Sequence, residues 1–206
     1  MRIAVVNLFD PMPGESIKEA RYSNFCRELV ARGHDVHWYT ADFSHLHMAP
    51  RDRASIEPAV KEAGFQVTFA ATRPYKKSAS PVWFRSHVVI ARTLEALWET
   101  APDPDVILVS VPHSAVSRAA SRWARRSGAR LVVDVQDLWP ETILRFWPRR
   151  LAWLNEVVFW KMIRDARVTY RRADVIFGVC RECLDQARGH HGPRTRFETL
   201  RLGVDL

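Results

Sequence analysis

The residues best placed to do chemistry follow runs that have the character of buried strands. The run at 131–135 is largely apolar and β-branched, which is typical of a strand covered on both faces of a parallel sheet. Asp137, Trp139 and Glu141 come directly after it, where Pro140 prevents a simple continuation of the strand. Because ligands of open α/β sheets bind at the carboxyl ends of the strands, these three side chains are candidates to contact a ligand.

A histidine supplies the second candidate for chemistry. His113 follows the strand-like run at 105–110, and this strand is expected to lie beside the one at 131–135. His113 and Asp137 would then face one cleft, where a His–Asp pair can orient or deprotonate a sugar hydroxyl. The structural alternatives stay open. His113 can cap or pack a helix, the acids can offset charge at a helix N-terminus, and Trp139 can anchor a loop.

The elements that would position these residues alternate regularly along the chain. The first helix is expected to begin at Ser16, with Glu19 completing a capping box, and to end before Gly33. One short helix is expected within 41–64. Strands are predicted at 3–8, 35–40, 65–70, 105–110, 131–135, 173–179 and 197–202, and further helices at 82–100, 115–126 and 149–172. This order predicts an α/β protein: a Rossmann-like open parallel sheet of about seven strands with helices on both faces.

Composition narrows the class of protein. A chain of 206 residues suits one sizeable domain, and it contains no apolar run of the roughly 20 residues that span a membrane. Three cysteines make no disulfide framework, so a reducing cytoplasm is the expected location. The formal charge of +8 favours an anionic partner, such as acidic lipid or a phosphorylated small molecule, or else reflects a solvated basic surface. Nucleic acid is disfavoured, because no RNP-like or helix-turn-helix framework surrounds the basic residues.

Several familiar motifs are missing, and one is present in an unusual place. The chain has no glycine-rich dinucleotide fingerprint, no GxxxxGK[ST] phosphate loop and no HExxH metal motif. His45 and His47 have no third ligand nearby and are interpreted as part of a surface loop. Cys180 and Cys183 form a CxxC pattern between a strand and a helix, which suits redox or metal chemistry. They lie late in a long α/β sheet, however, unlike the motif of a compact thioredoxin-like unit.

The predicted helix at 149–172 is rich in bulky apolar residues and in arginine. One interpretation is a core helix that packs on the sheet. The other is an interfacial helix that places tryptophan and arginine side chains at an acidic membrane.

Seven pieces of the chain follow one another in a familiar order: the opening strand with its Pro/Gly loop, and then the segments 27–36, 104–107, 110–113, 135–141, 170–174 and 202–206. Through these pieces the chain resembles the N-terminal domain of retaining GT-B glycosyltransferases of family 4, especially the bacterial polysaccharide and O-antigen enzymes. Two positions depart from that pattern: Gln136 stands where relatives often carry arginine, and Gly14 is followed by Glu15 where a glycine pair is usual. A carboxylate there would repel the donor phosphates that backbone amides otherwise bind.

The resemblance implies transfer of a sugar, with retained anomeric configuration, from a nucleotide sugar to a hydroxyl acceptor. The acceptor would be a saccharide or a polyprenyl-diphosphate-linked sugar of a surface polysaccharide pathway, and neither a metal nor another cofactor would be needed. His113 and Asp137 would be catalytic and would position the acceptor together with Glu141. Gly14, Gln136, Trp139 and Glu141 would bind substrate.

The resemblance also implies a domain organisation. Residues 1–206 would form one acceptor-side domain, and the C-terminal domain that binds the nucleotide sugar would be absent, so the isolated chain is expected to be inactive. The enzyme would be cytoplasmic and would dock on the inner membrane leaflet through residues 149–172. The alternative is a non-catalytic Rossmann-like subunit that recruits an acceptor or pairs with a separate catalytic chain. A thiol enzyme that uses Cys180 and Cys183 is a third interpretation.

Overall fold

A computed structural model describes residues 1–18, 21–78, 80–139 and 155–200, with side chains from 159 onward in the last of these segments. Its strands are β1 (Arg2–Val6), β2 (Asp35–Ala41), β3 (Phe43–Ser44), β4 (Ala49–Pro50), β5 (Gln66–Ala70), β6 (Val106–Val111), β7 (Arg130–Val135), β8 (Val175–Gly178) and β9 (Arg196–Thr199). Its helices are α1 (Arg21–Ala31), α2 (Arg53–Glu62), α3 (Pro81–Thr100), α4 (Ser114–Ser127), α5 (Asn155–Arg172) and α6 (Arg181–Arg188).

Seven of the strands form one parallel sheet in the order β5-β2-β1-β6-β7-β8-β9, and β3 and β4 form a separate antiparallel hairpin. From β1 the successive strands are added toward one edge of the sheet, which ends at β5, and from β6 they are added toward the other edge, which ends at β9. The loops that follow β1 and β6 therefore diverge, which is the topological switch point where such sheets bind ligands. The predicted fold class, a Rossmann-like open parallel sheet with helices on both faces, is confirmed.

Two apolar layers flank the sheet. On one face α1 and α2 bury Tyr22, Cys26 and Ile56 against Trp38. On the other face α3, α4, α5 and α6 pack over the strands, and an aromatic group lies at the centre. Trp98 and Trp123 stack at a centroid distance of 4.6 Å, and the edge of Tyr39 meets both rings. Full burial of each such side chain contributes roughly 1.5–3 kcal/mol.

Most predicted elements are confirmed to within a few residues, but α1 begins later than the sequence indicates. Residues 16–18 lie in a loop, so the prediction that Ser16 caps a helix is wrong, and Glu19 lies outside the described residues. A carboxylate from the preceding loop instead binds a backbone amide of the first turn that has no partner within the helix. The Tyr22 amide donates to Asp10 Oδ2 at 3.1 Å. The segment 41–64 contains the β3–β4 hairpin as well as the expected short helix, which Asp52 caps.

In the C-terminal third, the predicted elements can be compared with the structure only over the described residues. The predicted helix at 149–172 is observed from Asn155 to Arg172, and 149–154 lie outside the described residues. The predicted last strand is shorter than expected and ends at Thr199. No helix in the described segments has both the length and the hydropathy required to cross a membrane.

A buried ion pair holds the loop that follows β1. Arg51 donates to Glu15 Oε2 at 2.6 Å and also to the carbonyl oxygens of Leu8 and Asp10 at 3.2 and 3.1 Å. Both charged side chains are almost fully buried. Burial lowers the pKa of Arg51, while the negative charge of Glu15 favours its protonated form. The carboxylate that the sequence analysis placed beside the donor phosphates is therefore neutralised by a cation 36 residues away.

The same loop is fixed against α2 at Gly14, where φ is +86° and an added Cβ would lie 2.4 Å from the carbonyl oxygen of Ser55. Gly33 also has a positive φ, +78°, but a Cβ there would meet nothing within 4 Å. Gly33→Ala is therefore expected to lose about 1–2 kcal/mol of unfolding free energy from backbone strain alone. Gly14→Ala should lose about 1–3 kcal/mol more, because the loop and α2 must also separate.

Urea unfolding of the two variants measures both losses, and Gly33→Ala is the matched control for backbone conformation. Equal losses would show that Gly14 is not held against α2.

Candidate functional site

A group of six rings lies at the carboxyl edge of the sheet, beside the switch point. We call it the histidine–aromatic cluster, and it comprises Phe9, His45, Trp83, His87, His113 and Trp139. Phe9 is its centre, since its centroid lies 4.1 Å from His45 and 4.0 Å from His113. His113 also meets His87 at 4.7 Å. Trp83 contacts His87 at 4.0 Å and Trp139 at 5.3 Å, so the contacts are continuous from the loop after β1 to the loop after β7.

Five segments of the chain bring these rings together. Phe9, His113 and Trp139 follow β1, β6 and β7, which are adjacent in the sheet. His87 and Trp83 lie in the first two turns of α3, which begins at Pro81 after Ser80 caps it by accepting from the Trp83 amide at 3.2 Å. His45 projects from the β3–β4 hairpin. The carboxyl ends of three parallel strands thus meet the N-terminal turns of a helix, at the edge where open α/β sheets bind their ligands.

The three histidines of the cluster are held in the neutral form. Burial lowers the pKa of His87 to about 3, and the neighbouring His45 acts in the same direction. Burial lowers the pKa of His113 well below its usual value, with smaller contributions from His87 and His45. His45 is half-buried, and desolvation lowers its pKa as well. Its Nδ1 shares a 2.8 Å hydrogen bond with the Tyr75 hydroxyl.

Two imidazole nitrogens of the cluster have no hydrogen-bond partner within the described segments, His87 Nε2 and His113 Nδ1. A buried polar group without a partner costs about 1–3 kcal/mol, and such groups are rare in native proteins. The protein keeps two of them side by side at the edge of the sheet where ligands bind.

Asp137 lies at the surface of this edge, where it meets Trp139. The Trp139 indole Nε1 donates to Asp137 Oδ2 at 3.3 Å, and Gln186 of α6 donates to the Trp139 carbonyl oxygen at 2.9 Å. The predicted His113–Asp137 pair shares the edge, yet no hydrogen bond between the two side chains occurs in the described part of the chain. His113 is only 2% exposed, whereas Asp137 is accessible to solvent.

A buried carboxylate that the sequence analysis did not single out lies beneath the loop after β7. Asp134 is fully buried, and Arg21 binds it through two nitrogens, Nε at 3.0 Å and an Nη at 2.9 Å. The Tyr22 hydroxyl and the Gln136 amide donate to the same carboxylate at 3.1 and 3.0 Å. The sequence does contain a signal for this site, an acidic residue inside an otherwise apolar strand. A buried charge requires a partner, so Asp134 had to meet a donor from elsewhere in the chain.

The other predicted positions are distributed as follows. Gln136 directs its amide toward Asp134, and Gly14 lies on the exposed side of the loop after β1. Glu141 lies outside the described residues. His45 is a hairpin residue, as a surface loop predicts, but its ring is part of the cluster while His47 is exposed. Within the described segments, no group of three or more His, Cys, Asp or Glu side chains is arranged to hold a metal ion.

Solved structures with the same fold cover the whole chain at low sequence identity. Sucrose-phosphate synthase from Thermosynechococcus elongatus has a TM-score of 0.62 at 12% identity, over 99% of this chain and 48% of that protein. Anabaena Alr3699/HepE, solved with UDP and glucose, has a TM-score of 0.56 at 12% identity, with coverages of 100% and 45%. Arabidopsis thaliana UGT89C1, complexed with quercetin, has a TM-score of 0.54 at 13% identity, with coverages of 97% and 49%.

This chain therefore spans about half the length of these structural relatives, and identities at this level establish a shared fold alone. No curated protein sequence matches the chain. The sequence model of the glycosyl transferase 4-like domain, by contrast, matches residues 19–203, which include every element from α1 to β9. The chain belongs to the glycosyl transferase 4-like domain family.

Proposed function

We propose that this chain is the acceptor-side domain of a retaining GT-B glycosyltransferase, which transfers a sugar from a nucleotide sugar to a hydroxyl acceptor. The family match over residues 19–203 carries the proposal. The fold supports it, because His113, Asp137 and Trp139 all follow strands at the switch-point edge. Among the structural relatives, HepE was solved with UDP and glucose and UGT89C1 with quercetin.

In this function Asp137 and Trp139 contact the acceptor. A solvent-accessible carboxylate can accept a hydrogen bond from the attacking hydroxyl, and the face of an indole can pack against the C–H surface of a sugar ring. The hydrogen bond from the Trp139 indole to Asp137 fixes the two groups relative to each other. The acceptor would thus be bound by a charged group and an aromatic face that are already oriented.

His113 has a supporting role in this scheme. Its pKa is well below the usual value, so its imidazole is a weak base at neutral pH, and its ring is almost completely buried. Both properties argue against direct deprotonation of an acceptor hydroxyl. We assign His113 as a positioning residue, which holds Phe9 and His87 in place behind the acceptor surface.

The donor diphosphate would approach the loop that follows β1. The exposed backbone of Gly14 can face the phosphates, and the ion pair with Arg51 removes the repulsion expected from Glu15. A facing second domain would stabilise the departing diphosphate electrostatically and supply the remaining donor contacts. No metal or other cofactor takes part in the proposed reaction.

The exposed face of α5 supports a lipid-linked acceptor at the inner membrane leaflet. Trp160, Arg164, Arg167 and Arg171 recur at helical spacing along one stripe, and all four side chains are exposed. The Arg164 guanidinium lies 5.0 Å from the Trp160 ring centroid. A basic stripe that ends in an exposed indole suits an anionic surface. We therefore propose a polyprenyl-diphosphate-linked sugar of a surface polysaccharide pathway as acceptor and a cytoplasmic enzyme that docks on the membrane.

The second candidate is a non-catalytic subunit that recruits the acceptor or pairs with a separate catalytic chain. The likeness to sucrose-phosphate synthase and HepE establishes the fold alone, and a Rossmann-like domain of this kind serves in either role. The two candidates differ in whether this chain contributes groups to the reaction, which substitutions at the carboxyl edge can test.

The first prediction of the proposed function concerns Asp137. Membranes from the source organism, supplied with radiolabelled nucleotide sugars, should transfer sugar to lipid-linked acceptors when they carry the wild-type gene. Asp137→Ala should reduce this transfer by about 10²-fold, because the hydroxyl loses its hydrogen-bond acceptor. Asp103→Ala, which removes an exposed carboxylate remote from the carboxyl edge, is the matched control and should leave the transfer rate unchanged. The purified 206-residue chain alone should be inactive.

A normal transfer rate in a folded Asp137→Ala protein would contradict the site assignment. Transfer that persists after deletion of the gene would contradict the proposed function itself.

A second prediction concerns the basic stripe of α5. Wild-type protein should co-sediment with phosphatidylglycerol vesicles at low salt, and the double variant Arg164→Glu/Arg167→Glu should lose most of this binding, since each basic residue contributes about 1 kcal/mol. Arg92→Glu/Arg125→Glu makes the same change of net charge at exposed sites on α3 and α4 and should bind like the wild type. Equal losses in both double variants would show that net charge alone attracts the protein to the vesicles.

A third prediction follows from the neutral histidines. The unfolded chain protonates a histidine near pH 6.5, whereas folded His87 does so only near pH 3. Between these values the unfolded state binds more protons, so folding stability falls as the pH falls. His87 alone should contribute a slope of about 1.4 kcal/mol per pH unit in this window. Urea unfolding at several pH values should give a shallower slope for His87→Phe, and parallel slopes would show that folded His87 titrates normally.

A further inference from the structure

The CxxC segment at the start of α6 places two thiols in contact. Cys180 is the N-cap residue of α6, and Cys183 lies one turn into the helix. Their Sγ atoms are 3.1 Å apart, and both cysteines are reduced. A disulfide bond is about 2.05 Å long, so the sulfur atoms are only about 1 Å farther apart than in the oxidised form.

The two thiols differ in their access to solvent. Cys180 is half-buried at the end of β8, whereas Cys183 is 2% exposed and lies behind it. Burial and the contact with Cys180 raise the pKa of Cys183 to about 12. An external reagent therefore meets Cys180 first, while Cys183 is protected until a neighbouring sulfur becomes electrophilic. An accessible thiol with a second thiol behind it is the arrangement that dithiol redox sites use.

We propose that Cys180 and Cys183 form a redox site, which low-molecular-mass disulfides such as oxidised glutathione convert reversibly to an intramolecular disulfide. The Cys180 thiolate attacks one sulfur of the external disulfide, forms a mixed disulfide and releases one equivalent of the small thiol. Cys183 then attacks Cys180 Sγ, loses its proton to the departing thiolate and releases the second equivalent. Two protein thiols are oxidised and one external disulfide is reduced to two thiols.

The site adjoins the candidate acceptor surface. On the same helix as the two cysteines, Gln186 donates to the Trp139 carbonyl oxygen at 2.9 Å, and the charge of Asp137 is close enough to act on Cys183. Oxidation at the first turn of α6 would thus take place beside the loop that follows β7. The redox reaction itself uses only the two cysteines and does not depend on the proposed glycosyl transfer.

Thiol counting on the full chain tests the proposal. The reduced protein has three free cysteines, and after incubation with oxidised glutathione only Cys26 should remain titratable once the chain is unfolded in denaturant. The intact mass should fall by two hydrogen atoms, peptide mapping should join Cys180 to Cys183, and dithiothreitol should restore all three thiols. Retention of all three thiols, or a stable glutathione adduct on wild-type Cys180, would overturn the proposal.

Three single variants give matched comparisons. Cys183→Ser should accumulate the glutathione adduct on Cys180, because no second thiol resolves it. Cys180→Ser removes the accessible thiol, so Cys183 should stay reduced. Cys26→Ser removes a buried thiol remote from the pair and should oxidise like the wild type. Oxidation of Cys183 in the Cys180→Ser protein would contradict the order of the two steps, even if Cys183→Ser fails to fold.

Discussion

The buried carboxylate of Asp134 is the constraint on which the carboxyl edge of the sheet depends. An unpaired charge at this depth would cost several kcal/mol, so the fold must bring donors to it. Arg21 contributes a two-nitrogen contact from α1, Tyr22 a hydroxyl from the same helix, and Gln136 an amide from the next turn of chain. Arg21 also donates to the Leu200 carbonyl oxygen at 2.9 Å. Asp134 therefore connects the start of α1 with the loop after β7, and through Arg21 it also connects both with the residue that follows β9.

The loop after β1 is held by the same kind of interaction. Glu15 and Arg51 form a second buried ion pair, and Asp10 connects the two networks by accepting from the Tyr22 amide. Apolar packing positions strands and helices well, but it specifies loop conformation poorly because it is not directional. Buried charges require particular partners at particular distances. They keep the loops of the switch point in one arrangement before any ligand binds, which is what a preorganised site requires.

What the sequence predicted correctly is what depends on local periodicity. The alternation of strands and helices, the end of α1 before Gly33 and the location of His113 and Asp137 at one edge all follow from patterns within a few residues. What it missed depends on distant partners. The first turn of α1 is satisfied by Asp10, which lies 12 residues away, and Glu15 is neutralised by Arg51. No local pattern contains those pairings, and two-residue strands such as β3 and β4 are too short to show a period.

The position of Gln136 has a consequence for how the edge would divide its substrates in the proposed reaction. The amide of Gln136 is directed to Asp134, while the cation that neutralises Asp134 comes from Arg21 and is buried with it. The exposed Asp137 has the neutral indole of Trp139, and not a cation, as its hydrogen-bond donor. Such a carboxylate attracts hydroxyl groups and repels phosphates. In the proposed reaction the acceptor hydroxyl therefore belongs at Asp137. The diphosphate of the donor belongs between the loop after β1, where Glu15 is neutralised, and the facing domain.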